Sequence, residues 1–172
     1  MRFLSQRSCY LTVTLGVILA DRSSKAAVQA HLDPYRPLSL IPGFFDFTYV
    51  ENPGGVFGLF RDLSAGVRGV LFTLIPVAAI LLIALYARRV PPTHRLTQTS
   101  LALILGGALG NLVDRLRLGY VVDFLDFHWR GYHWPAFNLA DSAICTGVAM
   151  LMLESFLTRE SVRRADSETD SP

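Results

Sequence analysis

Charge is scarce in this chain, and lysine scarcer still. Only 17% of the 172 residues are Asp, Glu, Lys or Arg, and Lys25 is the one basic residue that is not Arg. The arginines are scattered near segment ends and form no stripe, and the net charge is only +2; this argues against a nucleic-acid partner. Cysteine is limited to Cys9 and Cys145. Both fall in apolar segments, where a lone thiol is core filler, so a disulfide scaffold and a thiol nucleophile are both disfavoured. The four histidines, His31, His94, His128 and His133, lack metal-ligand spacing. His128 and His133 read as an interfacial loop pair, and no metal or cofactor is expected.

Apolar residues are what the chain has in abundance, at 51%, well above an ordinary soluble domain. A soluble domain of this length could still bury a good core, so segment length decides. A helix crossing the roughly 30 Å hydrocarbon layer needs about 20 mostly apolar residues. Gly69 to Ala87 supplies 19 without a charge, and its Pro76 is tolerated in a membrane, where neighbours satisfy the freed carbonyl. Thr97 to Val113 is a second uncharged stretch, and Pro135 to Leu153 a third whose only charge is Asp141.

The N-terminal run from Ser8 to Ala20 is shorter and lies between Arg7 and Asp21. A cleaved signal peptide competes here, with Arg2 and Arg7 as its basic region. Ile18 and Ala20 make a poor small-x-small cleavage site, which favours a retained helix. The expected architecture is an all-α membrane protein of four transmembrane helices, at about residues 8–27, 67–87, 97–116 and 136–157, in one membrane domain. Arg88, Arg89 and Arg95 in the second connection, with Arg2, Arg7, Arg159, Arg163 and Arg164, place both termini in the cytoplasm.

The connection at about 28–66 is too long for a turn. Pro34, Pro37 and Pro42 break its first half, while Phe44 to Val50 reads as a strand followed by the turn signal Asn52-Pro53-Gly54-Gly55. A small extracytoplasmic β-structure between helices one and two, lying at the membrane surface, is expected. The polar tail, 158–172, reads as cytoplasmic and disordered.

Chemistry begins on the third helix. Gly106 and Gly110 form a GxxxG that admits a neighbouring helix. Asn111, Asp114 and Arg115 follow at i, i+3 and i+4, so an amide, a carboxylate and a guanidinium share one face near the outer interface. One reading aims that face at a polar site; the other makes Asp114 and Arg115 a mutual anchor that ends the helix. Beyond it, Gly119-Tyr120-Val121-Val122-Asp123-Phe124 sets a carboxylate among valines and aromatics, where desolvation raises its pKa. Asp126 has similar neighbours, and an Asp in an interfacial loop often only caps a turn.

The fourth helix opens with Trp134-Pro135-Ala136-Phe137-Asn138-Leu139-Ala140-Asp141-Ser142. Asn138 and Asp141 share a face, and an unpaired charge at Asp141 costs several kcal/mol in lipid. A structural partner such as Arg115 or Lys25 would explain it; so would catalysis. Two neighbouring carboxylates cannot both ionise easily, and a pair sharing one proton can activate a water against a peptide carbonyl.

These segments resemble the lipoprotein signal peptidases, or signal peptidases II, of bacteria. The resemblance runs from about Tyr10 to Leu157 through five blocks: Asp21-Arg22-Ser23-Ser24-Lys25, Tyr49 to Gly58, Gly110 to Arg115, Val121 to Phe124, and Phe137 to Ser142. It implies an inner-membrane aspartic endopeptidase that cuts diacylglyceryl-modified prolipoproteins before the lipidated cysteine, with Asp123 and Asp141 as the catalytic pair. It further implies roles around the substrate for Asn52, Gly54, Asn111, Arg115 and Asn138, and for Asp21 and Lys25 at a retained first helix, with Asp114 supporting the site. Its partners would be the prolipoprotein and membrane lipids, with the enzyme a monomer whose site lies near the periplasmic face. The chain departs from the pattern at Gly55-Val56, where the family has Ala-Ala, and at Ala20-Asp21-Arg22, where it has Leu-Asp-Gln.

Two rivals remain on the residues alone. A proton-coupled transporter or channel subunit also suits an intramembrane Asp with Asn and Arg nearby, but it calls for polar residues through the inner halves of the helices, and Gly69 to Ala87 and Leu101 to Leu109 have almost none. A non-catalytic scaffold would make both aspartates replaceable.

Overall fold

The structure is a computed structural model that describes residues 2–54, 64–91 and 93–169. Four helices occupy Arg2–His31 (α1), Ala65–Arg89 (α2), Arg95–Leu118 (α3) and Leu139–Thr169 (α4). The strands are Leu38–Ile41 (β1), Phe45–Asn52 (β2), Val121–Trp129 (β3) and Tyr132–His133 (β4), and they form one antiparallel sheet in the order β1-β2-β3-β4.

Among the described residues, three helical stretches are long and apolar enough to cross a bilayer: Gly69–Arg89, Arg95–Leu118 and Leu139–Arg159. The expectation of four such spans is met for three. Helix α1 is as long as the others, but Asp21, Arg22 and Lys25 crowd its outer half and leave too short an apolar run. Leu71, Leu74, Ile75, Leu81, Leu82 and Leu85 of α2 are exposed, as a lipid-facing surface requires. Pro76 is accommodated inside α2. At the helix end, the Gln98 amide donates to the carbonyls of Ala87 and Val90, so α3 satisfies backbone oxygens where α2 stops.

Helix α3 packs between α1 and α4, and its glycines explain the close approach. A methyl group on Gly106 would lie 2.8 Å from Cβ of Val17, and one on Gly107 would collide with the Ala140 carbonyl of α4. A methyl on Gly110 would lie 2.6 Å from an Asp21 carboxylate oxygen. The small-residue face therefore admits two helices and a charged group. Leu101, Ala102, Ile104 and Leu105 fill the rest of this interface.

The sheet corrects the expected architecture in two ways. It is not confined to the connection between α1 and α2, because β3 and β4 come from the segment between α3 and α4. Asp123, Asp126 and His128 consequently lie on a strand and not in a loop. Val28 of α1 packs with Val122 and Phe124 beneath this sheet, tying it to the helices. Strand β1 forms between Pro37 and Pro42; as an edge strand it tolerates flanking prolines. At the other terminus α4 continues to Thr169, so the tail expected to be disordered from 158 is helical that far; it contains no Gly or Pro up to that point to end the helix. Gly55 to Gly58, including the Gly55-Val56 departure, lie outside the described residues.

Candidate active site

Asn138 precedes the first helical residue of α4 and caps it. Its Oδ1 accepts the backbone N–H of Asp141 at 3.0 Å, and Asp141 Oδ2 accepts the backbone N–H of Asn138 at 3.3 Å. This reciprocal pair is a capping box, and it sets Asp141 in the first helical turn. Asp141 thus sits at the mouth of the apolar stretch, where backbone N–H groups face a carboxylate, rather than within it.

Asp123 is presented by β3, one strand in from the end of β2. It is 2% exposed. Its Oδ1 accepts the Asn138 side-chain amide at 2.7 Å and its Oδ2 accepts the Asn52 amide at 2.9 Å. Burial pushes the Asp123 carboxyl up to about 6; the amides of Asn52 and Asn138 and the Lys25 charge oppose the shift, and the neighbouring Asp141 charge adds to it. Asn52 is itself held by an Asx turn, its Oδ1 accepting the Gly54 N–H at 2.9 Å. Gly54 has φ +104°, and a methyl there would meet the Phe72 ring at 2.5 Å.

Asn111 reaches the same centre from α3, donating its amide to Asp141 Oδ1 at 2.7 Å. Behind it lies a buried charge cluster. The Lys25 ammonium, wholly buried, meets Asp21 Oδ2 at 2.9 Å, Asp114 Oδ2 at 2.8 Å and Asn111 Oδ1 at 2.9 Å. Arg22 pairs with the other oxygen of Asp114. The reading of Asp114 and Arg115 as a mutual anchor is therefore corrected: adjacent residues on a helix point apart, and α1 supplies both charged partners of Asp114, which also accepts the Val122 N–H. The structural reading of Asp141 as a partner of Lys25 fails for the same reason, since the ammonium is filled by other oxygens. Asp21 also accepts the Ala140 N–H at 3.1 Å, fixing the start of α4 against α1.

Asp123, Asp141, Asn52, Gly54 and Arg115 line one open cavity of about 530 Å³ together with Phe72, Trp134, Pro135 and Phe137. Asn111 and Asn138 form its underside through their bonds to the two carboxylates. All ten residues singled out from the sequence fall in this cavity or in the buried network beneath it. Phe72, Trp134 and Arg22 were missed as site residues; Trp134 and Arg22 stand inside the segments that carry the motifs, whereas Phe72 lies in an unbroken apolar run that gives no sign of it. Asp126 belongs elsewhere: it pairs with His133 at 3.1 Å, and His128 with Asp46 at 3.0 Å, the two imidazoles being stacked at 4.9 Å between centroids. The expected histidine pair is real but spans β3 and β4. Among the described residues no group of three His, Cys, Asp or Glu is arranged to hold a metal ion.

Comparison with known proteins bears on what this cavity does. A family model described as Signal peptidase (SPase) II matches residues 13–157. A lipoprotein signal peptidase of Geobacter sulfurreducens is 44% identical over 153 residues, covering 89% of this chain and 93% of that protein. The corresponding protein of Shewanella pealeana is 43% identical over 154 residues, covering 90% and 89%. Among solved structures, a bacterial membrane enzyme determined by the in meso method at 2.3 Å resolution superposes with TM-score 0.77 at 27% identity, covering 90% of both chains. A match of this extent, through every block of the site, makes the chain a member of the signal peptidase II family.

Proposed function

We propose that this protein is an aspartic endopeptidase of the membrane that removes signal peptides from diacylglyceryl-modified prolipoproteins, cutting before the lipidated cysteine. The observation that carries the reading is the meeting of Asp123 and Asp141 on one cavity, both bonded to Asn138. Asp123 holds the shared proton, because burial favours its neutral form. Asp141 accepts a proton from a water lying between the carboxylates, and the resulting hydroxide attacks the scissile carbonyl. Asp123 donates to the carbonyl oxygen; collapse of the tetrahedral adduct breaks the C–N bond and returns a proton to the departing amine. Arg115 lies on the same cavity wall and balances the single negative charge of the pair. The proton-coupled transporter reading finds no support in the family match, and the scaffold reading leaves the open cavity without a use.

The arginine-rich second connection supports an inner-membrane protein of four crossings, α1 included, with both termini cytoplasmic and the cavity near the periplasmic face. Purified protein in detergent should cleave a peptide bearing a diacylglyceryl cysteine and leave its unlipidated twin intact. Equal cleavage of both, or of neither, would overturn the proposal.

A further inference from the structure

The chain's only lysine is buried behind the two aspartates and touches neither. An ammonium has three N–H donors and no acceptor; Lys25 pairs with Asp21 Oδ2 at 2.9 Å and Asp114 Oδ2 at 2.8 Å and donates to Asn111 Oδ1 at 2.9 Å. The third contact constrains the site. A side-chain amide can turn over and exchange its oxygen for its nitrogen. Lys25 can face only the oxygen, so the Asn111 nitrogen must point the other way, where Asp141 Oδ1 lies 2.7 Å off. Asn138 reinforces the same orientation by donating to Asn111 Oδ1 at 3.1 Å. The orientation of Asn138 is set in turn by the backbone N–H of Asp141 on its own oxygen.

We infer that Lys25 is a positioning residue that locks the Asn111 amide as a donor to Asp141. With Lys25 absent, Asn111 can present its oxygen to Asp141. That oxygen repels a carboxylate, so Asp141 loses the donor that orients it as the base taking the water's proton. This inference rests on the peptidase reading above. The wild-type enzyme and Asp123→Asn test that reading separately, since cleavage that needs Asp123 establishes it whatever Lys25 does.

The test is a double-mutant cycle on cleavage of the lipidated peptide. Removing Lys25 alone strands two buried carboxylates, so the variant is Lys25→Met with Asp21→Asn, which keeps the cluster balanced against Arg22 and Asp114. In the wild-type background this pair should lower kcat by about 100-fold with KM little changed, within the range for misdirected acid–base catalysis. It should also raise the pH at which the acid limb of the profile falls. In an Asn111→Ala background the same pair should cost almost nothing further, because the group through which Lys25 acts is gone. Additive losses, or an unmoved pH profile in folded protein, would overturn the inference. If that paired variant does not fold, the cycle is run with Lys25→Gln, whose shorter amide keeps a donor, beside Asp21→Asn: it should lose less than about tenfold alone and nothing further beside Asn111→Ala. Equal loss in both backgrounds would contradict it.

Discussion

Asn138 bonds to Asp123 through its side-chain amide at 2.7 Å while accepting the Asp141 backbone N–H at 3.0 Å. One residue at a helix N-cap thus connects a strand aspartate to a helix aspartate. The cap that starts α4 and the scaffold that pairs the carboxylates are the same interaction, so helix stability and the proposed chemistry share a residue here.

The Asx turn at Asn52 gives a sharp expectation. Gly54→Ala forces a side chain into a left-handed conformation, costing about 1–2 kcal/mol, and into the Phe72 ring. The turn must shift and carry the Asn52 amide off Asp123. Cleavage should fall at least tenfold at matched folded protein, with the melting temperature in detergent lowered by several degrees; a Gly54→Ala enzyme that cleaves at the wild-type rate would show that the turn does not set the site.

Asp114 should behave differently from the proposed catalytic pair. It is wholly buried between Lys25 and Arg22, and removing one member of a buried ion pair costs about 3–5 kcal/mol. Asp114→Asn should therefore reduce folded yield and thermal stability, with the folded fraction still cleaving. Asp126→Asn faces a half-exposed His133 and should cost under about 1 kcal/mol with no loss of rate. Thermal melts and specific activity at matched folded protein distinguish the two.

Much of this site was legible in the chain, because its residues cluster in short blocks whose chemistry is out of place in an apolar sequence. Asn138 and Asp141 three apart at a helix start already spell a cap. Strand β3 was not legible: Val121 to Phe124 are buried on both faces, so the alternation that reveals a half-buried strand is missing. The partners of Asp114 were hidden for another reason. Arg115 is next to it in sequence and Arg22 lies 92 residues away, and only the packing of α1 on α3 makes the distant pair the true one.

Proton binding at Asp123 has a definite sign. Its carboxyl is raised from 3.8 to about 6, so between those values the folded protein holds a proton that the unfolded chain has released. Stability from this group is full below pH about 4 and is lost as pH rises towards 6. A protonated-carboxyl infrared band should disappear with a midpoint near 6 in the free enzyme and be absent from Asp123→Asn. A band that survives that substitution unchanged would place the proton elsewhere.

Topology can be read by labelling. With Cys9 and Cys145 replaced, a cysteine in place of the exposed Tyr35 should react with an impermeant thiol reagent added outside intact cells, and one in place of Thr169 should not. The opposite pattern would invert the orientation argued from Arg88, Arg89 and Arg95.

The most direct measurement concerns the two aspartates themselves. Asn at either position keeps the shape and most of the hydrogen bonding but removes the exchangeable proton. Cleavage of a lipidated peptide by Asp123→Asn, Asp141→Asn and the double variant, at matched folded protein, should fall by about 10²- to 10⁴-fold or more for each single change. The double should be hardly worse than either, because groups that act as a unit are not additive. A folded single variant that cleaves near the wild-type rate, or losses that multiply in the double, would contradict a shared catalytic pair.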